Sequence, residues 1–253
     1  MLRFTPAILL ASLHRGYQSE VNGMRTEARR HKSMSYCCPH DNGAARLFSR
    51  FARRQRRRYE KRGFQPSQFH LIEGLTQVGV NGASLLEIGC GVGYLHQHLL
   101  QQGAARATGI DLADQTIAQA RELAERRGLA DRTDYRVGDF IELVDRLKAA
   151  DVTILDKVIC CYPDARALVE DSLARTRRVY AYTIPRDRWF IRGGAALLAL
   201  LLRLFGSPFR SYVHDPRRIE AWVTAHGFVP RYRNQTAFWL TQVFVCPDSL
   251  AAP

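Results

Sequence analysis

The stretch Leu85-Leu86-Glu87-Ile88-Gly89-Cys90-Gly91-Val92-Gly93 constrains this chain more than any other. It reads as a short apolar strand that ends beside an acid, turns through three glycines and opens a helix. Glycine at such a turn lets the backbone take positive φ and lets a ligand approach where a Cβ would otherwise stand. The helix that follows, Tyr94 to Leu100, stops at Gly103, which suits the C′ position. The spacing departs from the dinucleotide fingerprint G-x-G-x-x-G/A. That pattern wants a small residue where this chain has Tyr94, and the third glycine comes one residue early.

Twenty-two positions after Gly89, the run Ala107-Thr108-Gly109-Ile110-Asp111 reads as a second strand with a carboxylate at its carboxyl end. That separation fits one βαβ unit and places the acid to accept hydrogen bonds from ribose hydroxyls. A third strand, Tyr135 to Val137, leads through Gly138 to Asp139-Phe140. There a carboxylate can accept from an exocyclic amine and a ring can lie against a purine. A fourth, Asp151 to Leu155, ends in Asp156-Lys157. Polar residues at four strand ends fall where open α/β sheets bind ligands.

Together these residues resemble the class I S-adenosylmethionine-dependent methyltransferases, from Gln68 to Val245. The resemblance implies an α/β fold: a Rossmann-like sheet of seven strands, the last one antiparallel, with helices on both faces and an N-terminal helical cap. It implies S-adenosylmethionine as cofactor, held by Glu87, Gly89, Cys90, Gly91, Gly93, Asp111, Leu112, Asp139 and Phe140. The competing reading is another nucleotide-binding α/β domain, such as a dehydrogenase. Tyr94 and the missing second mononucleotide half count against it. Asp114 reads as an N-terminal helix residue and Glu142 as a solvated one.

The net charge of +13 is unevenly spread: from Met1 to Arg62 there are 15 Lys+Arg against 4 Asp+Glu, and in the remainder 22 against 20. The basicity therefore belongs to an appendage. Residues 1–33 read as an upstream extension: a disordered tail, a start assigned too early, or a short targeting segment around Ala7 to Ala11. Residues 34–66 read as a basic helical cap, its helix over Leu47 to Arg62. The apolar stripe Leu47, Phe48, Phe51 and Tyr59 is surrounded by Arg53-Arg54-Gln55-Arg56-Arg57-Arg58. Those arginines are either a solvated face or an electrostatic footprint for phosphates or acidic lipid heads. Residues 67–248 read as the methyltransferase domain and 249–253 as a tail. Helices are expected at Ser67 to Gln77, Ala113 to Arg127, Phe140 to Ala149, Asp164 to Arg175 and from Asp215-Pro216 to His226. A strand is expected at Val179 to Ile184 and a closing pair at Phe228 to Arg233 and Thr236 to Val245.

Residues 187–214 form an insertion whose run Trp189 to Gly206 is apolar on all sides. It is too short to span a bilayer, which needs about 20 residues. A helix without a polar face is buried more often than not, so a buried lid is expected. A dimer contact or peripheral membrane contact through 190–206 are the alternatives.

Six cysteines, Cys37, Cys38, Cys90, Cys160, Cys161 and Cys246, read as thiols in a reducing, cytoplasmic setting. Zinc-finger spacing is absent, and metal capture with His40 or His214 has only weak support, so no metal site is assigned. After the fourth strand, Asp156-Lys157-Val158-Ile159-Cys160-Cys161-Tyr162-Pro163-Asp164 faces the transferred methyl in the resembled family. Cysteines stand where amine methyltransferases have Asn/Asp-Pro-Pro-aromatic, which argues against a base-directed amine methylase. The segment resembles a group of small bacterial methyltransferases, and the insertion is weakly similar to magnesium-protoporphyrin O-methyltransferases.

Methyl transfer from a sulfonium is mostly positioning. A thiol or sulfide acceptor needs little general base, so a soft small-molecule nucleophile is slightly preferred over a lipophilic hydroxyl or carboxyl. A nucleic-acid acceptor, guided by the arginine helix, and a non-catalytic cofactor-binding module are the remaining readings. Candidate catalytic residues are Asp156, Cys160, Cys161, Tyr162, His214 and Arg186. His214 is the base, to be oriented by Asp215 or Asp156, or simply a hydrogen-bonding residue ahead of a helix. Arg186 and Arg188 are candidate clamps for an acceptor carboxylate, unless one pairs with Asp187.

Overall fold

Strand residues alternate between two apolar faces, and that period of two builds the sheet. In a computed structural model, residues 40–204, 207 and 209–247 are described, with side chains from residue 45 onward. The extension 1–33, the Cys37-Cys38-Pro39 segment and the tail 249–253 lie outside the described residues, as do positions 205, 206 and 208 of the insertion. The strands are β1 (Ser84–Ile88), β2 (Arg106–Asp111), β3 (Thr133–Val137), β4 (Ala150–Asp156), β5 (Thr176–Pro185), β6 (Val229–Gln235) and β7 (Trp239–Val245). Their order is β3-β2-β1-β4-β5-β7-β6. The first five pair in parallel, and β7 inserts antiparallel between β5 and β6. This is the arrangement that the family resemblance implies.

The chain winds outward from β1 to β3, then returns to start β4 on the other side of β1. The switch point therefore falls between the carboxyl ends of β1 and β4, where such sheets bind ligands. Helices cover both faces. On one, α2 (Pro66–Val78), α3 (Tyr94–Gln101) and α4 (Asp114–Arg126) pack Leu71, Leu99 and Ile117 onto Leu85, Ile154 and Ala181. On the other, α5 (Phe140–Leu143), α6 (Ala165–Leu173) and α8 (Pro216–Ala225) pack Phe140, Leu168 and Ile219 onto Leu86, Leu155 and Tyr182. The basic α1 (His40–Arg62) is tied to α4, because Ser49 donates to Asp114 and Arg56 pairs with Glu122 at 3.0 Å.

Two expectations are corrected. The helix expected over Phe140 to Ala149 is only α5, followed by a single 3₁₀ turn at Val144–Arg146. Carbonyls at the break are held by side chains instead of by further helix: Arg136 donates to the Arg146 oxygen and Arg175 to that of Leu147. The apolar insertion forms α7 (Trp189–Leu204), yet this helix has no fully buried residue and is not a buried lid. Its position beyond the end of β5 gives it a surface to touch along one flank only.

Gly74 shows how closely α2 sits on the antiparallel edge. A Cβ there would lie 2.6 Å from the Tyr232 ring and 2.7 Å from Val243. Gly74→Ala is therefore expected to lower stability by about 1–3 kcal/mol through overpacking. Thermal unfolding would check this, and an unchanged Tm would mean that α2 can slide on the sheet.

Candidate functional site

At the switch point, β1 ends at Ile88 and the chain reverses through Gly89, Gly91 and Gly93, whose φ values are 66°, 53° and 77°. Only glycine takes such angles without strain. Gly89 is also closed sterically, because a Cβ on it would overlap Val158 Cγ2. The turn is held from two sides. The Cys90 amide donates to the Ile110 oxygen at 2.9 Å, and the Gly91 amide donates to Asp111 Oδ2 at 2.8 Å.

Asp111 also accepts at Oδ1 from the Ala113 amide (2.9 Å) and Thr116 Oγ1 (3.0 Å). Burial raises its pKa, and these three donors work against that rise. A carboxylate has about four acceptor positions, so Asp111 keeps one, on Oδ2, for a ligand hydroxyl. Its first task in this fold is to brace the glycine turn.

Glu87 borders the same cavity but faces inward. Its Oε2 meets His96 Nδ1 at 2.5 Å and accepts from the His96 amide at 3.2 Å, while His96 Nε2 meets Tyr135 Oη at 2.8 Å. Glu87 is therefore the base of the turn and fixes α3 beneath it. Burial raises its pKa, opposed chiefly by His96.

A cavity of about 340 Å³ opens above this turn. Its floor is Glu87 to Val92, Asp111 and Leu112; its far wall is Phe140, Asp156 to Val158, Cys161 and Tyr162. The sequence reading missed the roof. Phe48, Gln55, Arg58 and Tyr59 of α1, with Gln65 and Gln68 leading into α2, close the upper side. Tyr59 stacks on Tyr94 with centroids 3.6 Å apart, and Arg127 lies over both rings. Tyr94, read from sequence only as an obstacle to a dinucleotide, is thus the platform on which the roof rests. The aromatic stripe of α1 was visible in the sequence; that it covers strand ends required the docked helix.

Asp156 is the most informative side chain here. Its Oδ2 accepts from Gln68 Nε2 at 2.9 Å and from Lys157 Nζ at 3.3 Å, whereas Oδ1 is buried without a hydrogen-bond partner. Gln68 is itself fixed, since its Oε1 accepts from the Gln65 amide. Lys157 adopts φ 62°, the one positive value outside glycine among the described residues. Its ammonium lies 5.3 Å from the Trp239 ring. Left-handed backbone at a non-glycine costs about 1–3 kcal/mol and persists where surroundings over-determine it. Tyr94 also lines the cavity and has a buried, unpartnered Oη. Burial pushes its pKa up to about 12, so it remains a donor at neutral pH.

The remaining sequence candidates divide. Cys161 borders the cavity, whereas Cys160 is buried behind it; both thiols point at the Lys157 carbonyl, at 3.6 and 3.3 Å. The adjacent Cys160 thiol and burial raise the Cys161 pKa, so it stays protonated. Tyr162 borders the cavity and donates to Asp139 Oδ1 at 2.7 Å. Asp139 also caps α5 by accepting from the Ile141 amide, so it faces Tyr162 and the helix rather than the opening. Phe140 does line the cavity.

His214 is outside the lining: its Nε2–H donates to the Tyr162 carbonyl at 2.9 Å, and burial lowers its pKa. Neither expected orienting acid reaches it, because Asp215 caps α8 through the Arg217 amide and Asp156 is held by Gln68 and Lys157. Arg186 is also elsewhere, donating to the Thr236 carbonyl in the β6–β7 turn. Asp187 pairs with Arg192, in a two-pronged contact, and not with Arg186 or Arg188. Among the described residues no group of three or more metal-ligating side chains gathers.

Residues 85–180 match the family model described as a methyltransferase domain. Ribosomal protein L11 methyltransferases of Yersinia pseudotuberculosis and Salmonella newport are each 38% identical over 72 residues. The match covers 28% of this chain and 25% of theirs, so the chain spans about a quarter of the length of the curated relatives it matches. In structure, magnesium protoporphyrin IX methyltransferase from Synechocystis with bound SAM has a TM-score of 0.61 at 16% identity, covering 84% of this chain and 99% of that one. The N-methyltransferase NodS from Bradyrhizobium japonicum, in complex with S-adenosyl-l-homocysteine, has a TM-score of 0.60 at 16% identity, covering 81% and 100%. These two likenesses are of fold.

Proposed function

We propose that this chain, whose residues 85–180 match a methyltransferase-domain family model within a seven-stranded sheet of order β3-β2-β1-β4-β5-β7-β6, is a methyltransferase that binds S-adenosylmethionine at the switch point and transfers its methyl to a small molecule. The observation that carries this reading is Asp156, which lines a cavity floored by a glycine turn and whose buried Oδ1 has no hydrogen-bond partner. A buried anionic oxygen without a partner is costly unless a donor or cation meets it. S-adenosylmethionine carries an ammonium and a sulfonium, and the cavity lining holds three acids, Glu87, Asp111 and Asp156, against Arg58 and Lys157, a surplus of one negative charge. Gly89 supplies the close approach, and Asp111 Oδ2 has its one acceptor position for a ribose hydroxyl. Bound there, the cofactor supplies an activated methyl. The chain's part is to hold it under the roof of α1, exclude water, and leave the acceptor an in-line path.

For the acceptor, a thiol, sulfide or other soft nucleophile is our first reading. The described cavity lining contains no histidine, and each of its carboxylates is already bonded on at least one oxygen. A thiol is partly ionised at neutral pH and needs the least help from a base. Phe48, Phe140 and Tyr162 around the opening support a second reading, a lipophilic hydroxyl or carboxyl acceptor. A nucleic-acid acceptor would use the exposed Arg53, Arg54 and Arg57, and its binding would weaken steeply with salt. Cys90, Cys160 and Cys161 are thiols, which supports the reducing setting we propose.

Calorimetry with S-adenosylmethionine and S-adenosylhomocysteine tests the cofactor. Wild type is expected to bind both, and Asp156→Asn to bind about tenfold more weakly, the loss of one charge-assisted hydrogen bond. No binding by wild type overturns the proposal. Labelled cofactor with a panel of thiols, lipophilic hydroxyls and carboxyls, and RNA then ranks the acceptors. The cysteine pair refines that ranking. Cys161→Ser is expected to slow turnover of a thiol acceptor with cofactor affinity unchanged, while Cys160→Ser lowers Tm alone. If both variants turn over normally, the pair is packing and the soft-acceptor reading loses its support.

A further inference from the structure

Helix α7 presents an apolar face that the described fold leaves uncovered. Ile191, Ala195, Ala199 and Leu202, spaced four, four and three residues apart, form its half-buried inner flank. The opposite face carries Trp189, Leu197, Leu200, Leu201 and Leu204, with Trp189 84% and Leu204 73% exposed. The exposed Phe238 of the β6–β7 turn extends the patch, its ring 6.4 Å from Phe190. A helix on a soluble domain puts polar residues outward. Here the outward face is apolar, and the only charged residues among sixteen are Arg192 and Arg203. Eleven residues apart, they sit about three turns from each other along one flank. No described helix is long and apolar enough to cross a membrane.

The charge around this face selects its partner. Between residues 186 and 210 stand five arginines against a single acid, Asp187. Arg192 pairs with that acid and Arg186 donates to the Thr236 carbonyl, which leaves the exposed Arg188, Arg203 and Arg210 for a partner. We propose that α7 is an interfacial helix that lies in an anionic lipid surface. Trp189 and the outward leucines enter the boundary between headgroups and acyl chains, and the arginines reach lipid phosphates by snorkelling. An isologous contact with a second copy would set these cation-flanked faces against each other. Because α7 leaves the carboxyl end of β5, docking brings the edge of the sheet that carries the cavity to the lipid. The inference is independent of the methyl-transfer reading, since neither the helix nor its flanking arginines border the cavity.

Co-sedimentation of the full chain with vesicles tests it. The chain is expected to pellet with phosphatidylcholine vesicles containing phosphatidylglycerol and at least about tenfold less with phosphatidylcholine alone, because the arginine contribution needs anionic lipid. Leu197→Asp with Leu201→Asp is expected to abolish pelleting while leaving Tm and cofactor binding intact. These side chains are solvent-facing, so the double variant should fold. Three outcomes overturn the proposal: no pelleting with either vesicle; pelleting that survives the double substitution, which would assign the contact to the arginines of α1; or a dimer by sedimentation equilibrium that the same substitutions dissociate.

Discussion

Asp111→Ala is expected to weaken S-adenosylmethionine binding at least tenfold and to lower the melting temperature as well. The second effect follows from the structure. The carboxylate accepts from the Gly91 amide, the Ala113 amide and Thr116 Oγ1, so its removal frees the glycine turn and the start of α4 together. Hydrogen bonds to a charged group are worth about 1.5–3 kcal/mol each. Because Gly91 and Thr116 border the cavity, water can satisfy part of what is lost there, and the net loss is expected to be about 2–4 kcal/mol. In a domain of this size that corresponds to about 4–16 °C in Tm. Asp111→Asn separates the two roles: its amide oxygen can keep one backbone donor but presents an NH₂ to another. Its loss of affinity should approach that of alanine while its Tm recovers in part. Calorimetry and thermal unfolding on both variants decide the matter. An unchanged dissociation constant in Asp111→Ala would remove this residue from the binding site, and an unchanged Tm would show that the turn holds itself.

Gly89→Ala is expected to abolish cofactor binding, for two reasons that can be separated. A side chain at φ 66° is strained at about 1 kcal/mol or slightly more. The larger effect is the overlap of the new Cβ with Val158 Cγ2, which forces either the turn or the segment after β4 to move. Both are cavity walls, so the damage is to the site before it is to the fold. Val158→Ala removes the overlapping methyl, and the new Cβ would then stand 3.4 Å from the Val158 Cβ, an ordinary contact. The double variant is therefore expected to bind measurably better than Gly89→Ala alone. The two changes must couple, because they share one contact. Additive losses would mean that positive φ, not the close approach, is what requires glycine at 89.

The cavity's architecture explains which of its residues could be read in advance. Strand ends and glycine turns are local: three glycines after an apolar run, an acid twenty-two residues on, and polar residues after the third and fourth strands. Each of those was placed at the switch point because right-handed parallel crossovers leave little freedom in where such ends arrive. Side-chain roles were less legible. Asp139 pairs with Tyr162, Glu87 with His96, and His214 with a backbone carbonyl. Residue type does not tell whether a carboxylate faces ligand or protein. Gln68, Tyr59 and Gln55 carry no motif at all; they reach the cavity only because α1 and α2 fold back over the sheet.

The same division holds for α7. Its length, its lack of a polar face and its flanking arginines are properties of residues 186–210 alone, and a helix there was expected. Whether that apolar surface is covered depends on what lies beside it, and β5 delivers it to an edge where only one flank meets protein. The sequence by itself determined the succession of strands and helices, the glycine turn and the acid at the end of β2, because these rest on local periodicity and on backbone angles that few residues tolerate; the order of the seven strands was implied by the family resemblance. Only the tertiary structure decided that the basic helix, and not the apolar one, roofs the cavity. It alone left Asp156 with an unpartnered oxygen, since both outcomes depend on contacts between distant segments: Arg56 with Glu122, 66 residues on, and Gln68 with Asp156, 88 residues on.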